Sequence, residues 1–182
     1  MVRPMGRAVM ALAVVLVATS SHAGGPTDRL NQYAKTAQQS PAGASGSSNA
    51  SSIFAVDEMA ERVLGRHWPD RTAKERAEFT PLFGTLLDRV YLSQIGRYTG
   101  DRLRYTSEVI DGARATVRAN VRPKPGDELP ITMTMRIRGN DQFIDDIVVE
   151  GSSILDAYRA QFDHIIRTAS YDELVKRLQG RR

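Results

Sequence analysis

Hydrophobic positions in the middle of the chain follow the period of a helix. Between Thr72 and Ile95 the apolar residues recur at the i, i+3, i+4 and i+7 spacing of an amphipathic helix. Thr72 and Glu75 match the capping-box pattern that starts a helix. A shorter helix is predicted before it, from Ile53 to Gly65, where the glycine favours a stop. The apolar residues of the longer helix are Phe79, Leu82, Phe83, Leu86, Leu87, Val90, Tyr91 and Ile95.

The apolar period then shortens to two residues, which is typical of strands. Four strands are predicted, over residues 103–110, 113–122, 131–138 and 142–151, and Asp111-Gly112 predicts a hairpin turn between the first two. Alternation with one apolar and one polar side favours an antiparallel sheet that is covered on one face. The apolar sides of the second and third strands are Ala113, Ala115, Val117, Ala119 and Val121, and Ile131, Met133, Met135 and Ile137.

Two more amphipathic helices follow the strands. The first presents Leu155, Tyr158, Phe162 and Ile165 on one side, and the second begins at a cap near Ser170. Helices on either side of a run of strands predict an α+β domain, with helices packed on one face of a four-stranded antiparallel sheet.

The N-terminal residues have the pattern of a secretory signal. Arg3 and Arg7 precede the short apolar run Ala8–Ala18, and small residues at Ser21 and Ala23 predict cleavage after Ala23. The run is shorter than the roughly 20 residues that a membrane-spanning helix needs. With no cysteine in 182 residues, an exported disulfide-free protein is expected, and a bacterial periplasm suits it best.

Three segments are therefore expected along the chain. Residues 1–23 form the signal peptide, and residues 24–52 contain a short helix followed by a Ser/Gly/Ala-rich linker over Ser40–Ser52. Residues 53–180 form the α+β domain.

The net charge of +4 and pI near 9.6 are modest, and Arg3 and Arg7 lie within the predicted signal. Nucleic-acid binding is not expected from so small and dispersed a charge. The remaining basic residues include arginines on the polar side of the strands. These arginines either form a solvated face or meet acidic lipid headgroups or an acidic partner. They are Arg114, Arg118, Arg122, Arg136 and Arg138.

The chain has few residues in patterns that suit catalysis or metal binding. His67, beside the single tryptophan Trp68, is either a structural residue at a helix seam or a general base. Adjacent residues Asp145 and Asp146 in a strand should point to opposite faces, so a carboxylate dyad is not expected. No cluster has metal-ligand spacing. No catalytic residue, cofactor or metal is therefore predicted, and the enzyme alternative is a lyase or isomerase that uses His67 or one of the two aspartates as a base.

The apolar side of the sheet combines small and flexible residues. Ala113, Ala115 and Ala119 leave space, and Met133 and Met135 adapt to irregular shapes. Such a face suits a cavity for an apolar ligand, and it equally suits an ordinary core.

Several segments in order resemble a known family. "VLGRHW", the capped helix that follows it, "DDIVVEGSSILDAYRAQF" and "SYDELVKRLQ" are similar to the MlaC-type periplasmic lipid-transfer proteins, which include toluene-tolerance auxiliary proteins and relatives in hopanoid-synthesis clusters. The resemblance covers about Phe54 to Leu178.

The resemblance implies an apolar pocket between the helices and the sheet that holds the acyl chains of a phospholipid. It implies a non-enzymatic, monomeric carrier that moves lipid between an outer-membrane lipoprotein or porin component and an inner-membrane ABC-transporter complex through transient contacts. Family members usually have a further helix where this chain has the Ser40–Ser52 linker. They also often carry Gly-Trp before the last strand, where this chain has Gln142-Phe143. A hopanoid cargo is therefore also open. The residues expected to line the pocket are Phe83, Leu86, Leu87, Tyr91, Val117, Met133, Met135, Ile147, Tyr158 and Phe162.

Overall fold

A computed structural model of the protein describes residues 24–39, 50–92 and 102–180. Its N-terminal part is helical, with α1 (Pro26–Gln39), α2 (Ala50–Ile53), α3 (Val56–Leu64) and α4 (Ala73–Leu87) in chain order. A 3₁₀ turn (Gly65–His67) follows α3, and a π-helical turn (Asp88–Leu92) follows α4. The predicted signal peptide and residues 40–49 of the predicted linker lie outside the described residues.

The sheet and two more helices complete the order. The strands are β1 (Leu103–Asp111), β2 (Arg114–Val121), β3 (Leu129–Arg138), β4 (Asp141–Val149) and β5 (Ser152–Ser153). They pair antiparallel in the order β1-β2-β3-β4-β5. Helices α5 (Ile154–Thr168) and α6 (Tyr171–Gly180) follow.

The predicted α+β class with an antiparallel sheet is confirmed, but the expectation of four strands is wrong. Glu150 and Gly151 adopt positive φ angles of 49° and 82°, which turn the chain back on β4. Ser152 and Ser153 then pair with Val149 and Val148 before the chain enters α5. Ala113 was expected on the apolar side of β2; it lies exposed in the hairpin turn instead.

Local sequence signals explain several element boundaries. The capping box at the start of α4 is confirmed: Thr72 Oγ1 accepts from the Glu75 N–H at 3.2 Å, and Glu75 Oε2 accepts from the Thr72 N–H at 2.7 Å. Gly65 ends α3 at φ 50°, a conformation that favours glycine. Ser153 caps α5 through the Asp156 N–H at 3.0 Å.

The helices bury one side of the sheet. Ala115, Val117 and Ala119 of β2 are at most 2% exposed, and they define what we call the inner face. An aromatic cluster lies in the helical layer, where Phe79 stacks on Phe83 at 6.0 Å and meets Phe162 edge-on at 6.0 Å. One continuous hydrophobic cluster joins the helices to the inner face. Within the described residues, no helix is both long and apolar enough to cross a membrane.

Candidate functional site

An apolar cavity of about 260 Å³ lies between α1 and the inner face of the sheet. Helix α1 supplies one wall, strands β1 to β4 supply the opposite wall, and the first residue of α5 closes one side. None of the lining residues is an aspartate, glutamate, lysine, arginine or histidine. The lining residues are Leu30, Tyr33, Ala34, Leu103, Tyr105, Val121, Leu129, Ile131, Met133, Ile144, Ile147, Val149 and Ile154.

The cavity lies toward the end of the sheet where β1 begins. Leu103 pairs with Val121, and Val121 pairs with Leu129 on the next strand. Ile131 then pairs with Val149. Because directly paired residues share a face of the sheet, these positions form a continuous apolar wall across four strands.

Two tyrosines, Tyr33 and Tyr105, are the lining residues that carry a polar side-chain group. The Tyr33 hydroxyl donates to the backbone oxygen of Gln142 and accepts from Arg29 Nε at 3.0 Å. Burial raises the pKa of Tyr33 and raises the pKa of Tyr105 to about 12. Both phenols are therefore neutral near neutral pH, so the wall bears no formal charge.

Helix α1 is held over the cavity by polar contacts at its N-terminal end. The Thr27 N–H donates to Glu108 Oε2 at 2.8 Å, which fastens the start of α1 to β1. A Cβ at Gly25 would lie 2.9 Å from Glu108 Oε1, so a glycine permits this close approach. Arg29 forms an ion pair with Asp141 at 3.4 Å. Apolar burial on α1 comes from Leu30, Tyr33 and Ala34.

The structure brings two of the ten residues predicted for the pocket, Met133 and Ile147, to this cavity. Six others are buried in the hydrophobic cluster, and Tyr158 packs against that cluster. The side chain of Tyr91 lies outside the described part of the structure. A role for these residues in lipid contact stays a prediction. The six buried residues are Phe83, Leu86, Leu87, Val117, Met135 and Phe162.

Sequence reasoning missed most of the cavity wall. The prediction favoured sheet positions opposite helix α4, whereas the cavity lies under helix α1. The alternation of β1 and β3 could have found Leu103, Tyr105 and Ile131, because they share the inner face with Met133. Leu30 and Tyr33 lie in the helix predicted within residues 24–52, for which the sequence predicts no contact with the sheet.

A second cavity of about 250 Å³ lies where α2, α3 and α4 approach the β3–β4 hairpin. Its lining is mixed, since Asp57, Thr80 and Arg138 join Phe54 and Phe143. Arg138 forms an ion pair with Glu58 and lies over the Phe143 ring. A charged lining of this kind is less suited to an apolar ligand than the cavity under α1.

His67 lies at the seam between the 3₁₀ turn and α5. Its Nε2 is 2.8 Å from Asp163 Oδ1, and Arg66 forms an ion pair with the same oxygen. Hydrogen bonds from His67 and Arg66 hold the pKa of the Asp163 carboxyl below its usual value. Trp68 packs against the hydrophobic cluster, with Arg76 over its ring at 5.0 Å. These contacts tie helices together and lie apart from the residues that line the apolar cavity.

Asp145 and Asp146 do not follow the strict alternation expected from the sequence. The register of β4 skips one residue here, since Asp146 pairs with Thr134 but Ile144 pairs with Met135. Both aspartates are buried, with exposed fractions of 3% and 7%. A β-bulge of this kind places an extra residue in one strand and breaks the two-residue period.

The two carboxylates bind separate partners. Asp145 Oδ1 lies 3.0 Å from Arg62 and 3.5 Å from Arg136. Asp146 accepts from the Ile147 N–H at 2.8 Å and, at the start of α5, from the Ser153 hydroxyl at 2.6 Å. Each therefore has structural partners. The described residues contain no group of three or more His, Asp or Glu that could hold a metal ion.

The fold and the cavity together define an α+β protein with an apolar chamber between a helix and an antiparallel sheet. The chain belongs to the MlaC family, because the family model described as "MlaC protein" matches residues 28–180. The predicted family is thereby confirmed. No curated protein sequence matches the chain.

A solved structure shares the fold. It is the phospholipid-binding protein from Ralstonia solanacearum in complex with a phospholipid, and it superposes with a TM-score of 0.66 at 18% sequence identity. The match covers 85% of this chain and 93% of that one. At this identity the likeness establishes a common fold.

Proposed function

We propose that the protein is a carrier of phospholipid whose acyl portion enters the cavity under α1. The observation that carries this proposal is the uncharged, largely aliphatic lining of that cavity. Membership of the MlaC family and the phospholipid bound by the Ralstonia protein support the same ligand class. A phospholipid fits such a site because its chains leave water while its charged headgroup stays outside.

The size of the cavity indicates how much of a lipid it holds. A cavity of about 150 Å³ accommodates benzene, so each benzene carbon corresponds to about 25 Å³ of cavity volume. By that measure 260 Å³ accommodates about ten carbons. Burying ten methylenes contributes about 8 kcal/mol. One acyl segment fills the site as it stands, and longer or second chains require α1 to move outward.

The proposed setting is the bacterial periplasm after removal of residues 1–23. There the protein shuttles phospholipid between an outer-membrane component and an inner-membrane ABC-transporter complex. It acts as a carrier rather than an enzyme, since His67, Asp145 and Asp146 are each engaged in contacts that join structural elements. A hopanoid is the alternative cargo. The apolar cavity wall contacts the apolar part of a ligand, so it selects for the shape of that part and not for the chemistry of a headgroup.

Organic extraction of the purified protein, followed by mass spectrometry of the extract, tests the proposal. Co-purified phospholipid at close to one molecule per chain is expected. If hopanoid is recovered instead of phospholipid, the carrier function is retained and its cargo is a hopanoid. If the extract holds no lipid, and the stripped protein takes up none from phospholipid vesicles, the carrier proposal is wrong.

A further inference from the structure

Strand β1 forms one edge of the sheet. In the strand order β1-β2-β3-β4-β5 it has β2 on one side, and no described strand pairs with its other side. Alternate residues of such a strand direct their N–H and C=O groups away from the sheet, where a further strand could bind them.

This edge carries the two large hydrophobic residues that stand out as exposed in the described structure. Val109 is 52% exposed and Ile110 is 55% exposed. Edge strands are usually protected by charged residues, prolines or bulges. A bulge does interrupt β1 between Tyr105 and Ser107. The stretch from Ser107 to Asp111 pairs with β2 without interruption. It contains both exposed apolar side chains, beside the charged residues Asp111 and Glu108, of which Glu108 is hydrogen-bonded to Thr27 of α1.

Two arginines flank this apolar position on the outer face of the sheet, opposite the cavity. Val109 pairs with Thr116 of β2. Arg114 and Arg118 lie two residues to either side of Thr116, so their side chains share its face. Both arginines are exposed.

The positive charge of these arginines is not neutralised by ion pairs within the described residues. Arg118 contacts the Ser107 hydroxyl at 3.5 Å. Arg114 pairs directly with Arg136 across β2 and β3, where like charges repel each other, although Asp145 offsets part of the charge of Arg136. Asp111 is opposite Arg114 on β1, yet the two form no ion pair there. An acidic partner would relieve this repulsion.

We propose that this surface, which consists of the outer edge of β1 with Val109, Ile110, Arg114 and Arg118, binds an extended acidic segment of a partner protein. The segment adds to the sheet as a strand beside β1. Main-chain hydrogen bonds supply affinity, while apolar side chains meet Val109 or Ile110 and carboxylates meet the arginines.

Two other occupants fit less well. A bilayer surface offers phosphate to the arginines but no backbone groups to the strand edge. A second copy of the chain brings its own basic outer face beside this one, which like-charge repulsion disfavours. The proposal does not depend on lipid binding, because Val109 and the two arginines lie on the face opposite the cavity, and Ile110, although on the inner face, does not line the cavity.

Amide NMR of the purified protein with synthetic peptides tests the surface. One capped peptide alternates Glu and Val, and the matched peptide alternates Lys and Val. The acidic peptide is expected to shift the amides of residues 107–111 and to slow their hydrogen exchange, whereas the basic peptide leaves them unchanged. The double variant Arg114→Glu/Arg118→Glu should weaken binding of the acidic peptide by about tenfold or more.

The matched control is Arg167→Glu/Arg177→Glu, which places the same charge change on α5 and α6. It should bind the acidic peptide like the wild type. Acidic peptide that leaves residues 107–111 unperturbed overturns the proposal. So does protection of these amides by self-association or by anionic phosphatidylglycerol vesicles in place of the peptide. Lipid content measured on the same samples reports separately on the carrier function.

Discussion

Filling the cavity from the side of α1 should abolish lipid retention. Ala34 lines the cavity and is 4% exposed, so the ring of an Ala34→Phe variant extends into the chamber. A benzene ring needs about 150 Å³ of the 260 Å³ present. Room remains for about four carbons in place of ten. Six fewer buried methylenes remove about 5 kcal/mol, which corresponds to more than a thousandfold in affinity.

The assay is lipid per protein chain, measured by mass spectrometry after purification, together with displacement of a fluorescent fatty acid. The matched control is Ala157→Phe, which makes the same substitution at an exposed position of α5. This control should retain wild-type lipid. Circular dichroism and thermal unfolding show whether Ala34→Phe remains folded, since overpacking costs about 1–3 kcal/mol.

A second variant tests the same cavity in case Ala34→Phe does not fold. Ile147→Phe enlarges a side chain on the sheet wall of the same cavity and should also lower lipid content. If both variants fold and both carry wild-type lipid, the acyl portion does not occupy this cavity and the reasoning from its lining is refuted.

Three further predictions follow from the polar contacts. His67→Ala should leave lipid content unchanged, because His67 contacts Asp163; loss of lipid measured by extraction would contradict the structural role. Asp146→Ala should lower the free energy of unfolding by about 1–3 kcal/mol, since the start of α5 loses its buried acceptor. Urea denaturation measures this, and the exposed Asp127→Ala should change little. Asp88→Asn should stabilise the protein above about pH 6 and have no effect below about pH 4, again by urea denaturation.

The sign of the Asp88 effect follows from its environment. Burial raises the pKa of the Asp88 carboxyl to about 6, although a hydrogen bond from the Ala50 N–H lowers it. Between the unfolded pKa near 3.8 and about 6, the native state holds a proton that the unfolded state has released. Stability therefore falls as the pH rises through this window. Asparagine keeps an acceptor for Ala50 without the charge, and equal pH profiles for the variant and wild type would contradict this account.

Elements specified by nearby residues could be predicted from the sequence. The capping box at Thr72 and the hairpin after Asp111 each depend on a few adjacent side chains and backbone angles. The apolar alternation of β2 and β3 likewise identified the inner face from Ala115 to Met135. These signals are local, so one sequence is enough to read them.

Features that depend on distant contacts could not be predicted in this way. The β4 bulge at Asp145 fits a carboxylate between Arg62 and Arg136, which come from two other elements. The partner of His67 is nearly a hundred residues away, at Asp163. The position of the cavity is set by where α1 lies on the sheet, and hydrophobic periodicity describes which residues are apolar but not where packing leaves a gap.

The placement of α1 has a consequence for how this protein could diversify. One wall of the chamber comes from α1, while the aromatic cluster around Phe79 and Phe83 lies in separate helices. Substitutions at Leu30, Tyr33 or Ala34 therefore reshape the chamber without changing that aromatic cluster. Under the proposed carrier function, a swap of this one helix between relatives would change the shape of the chamber, and with it the range of lipids bound, without altering the aromatic cluster.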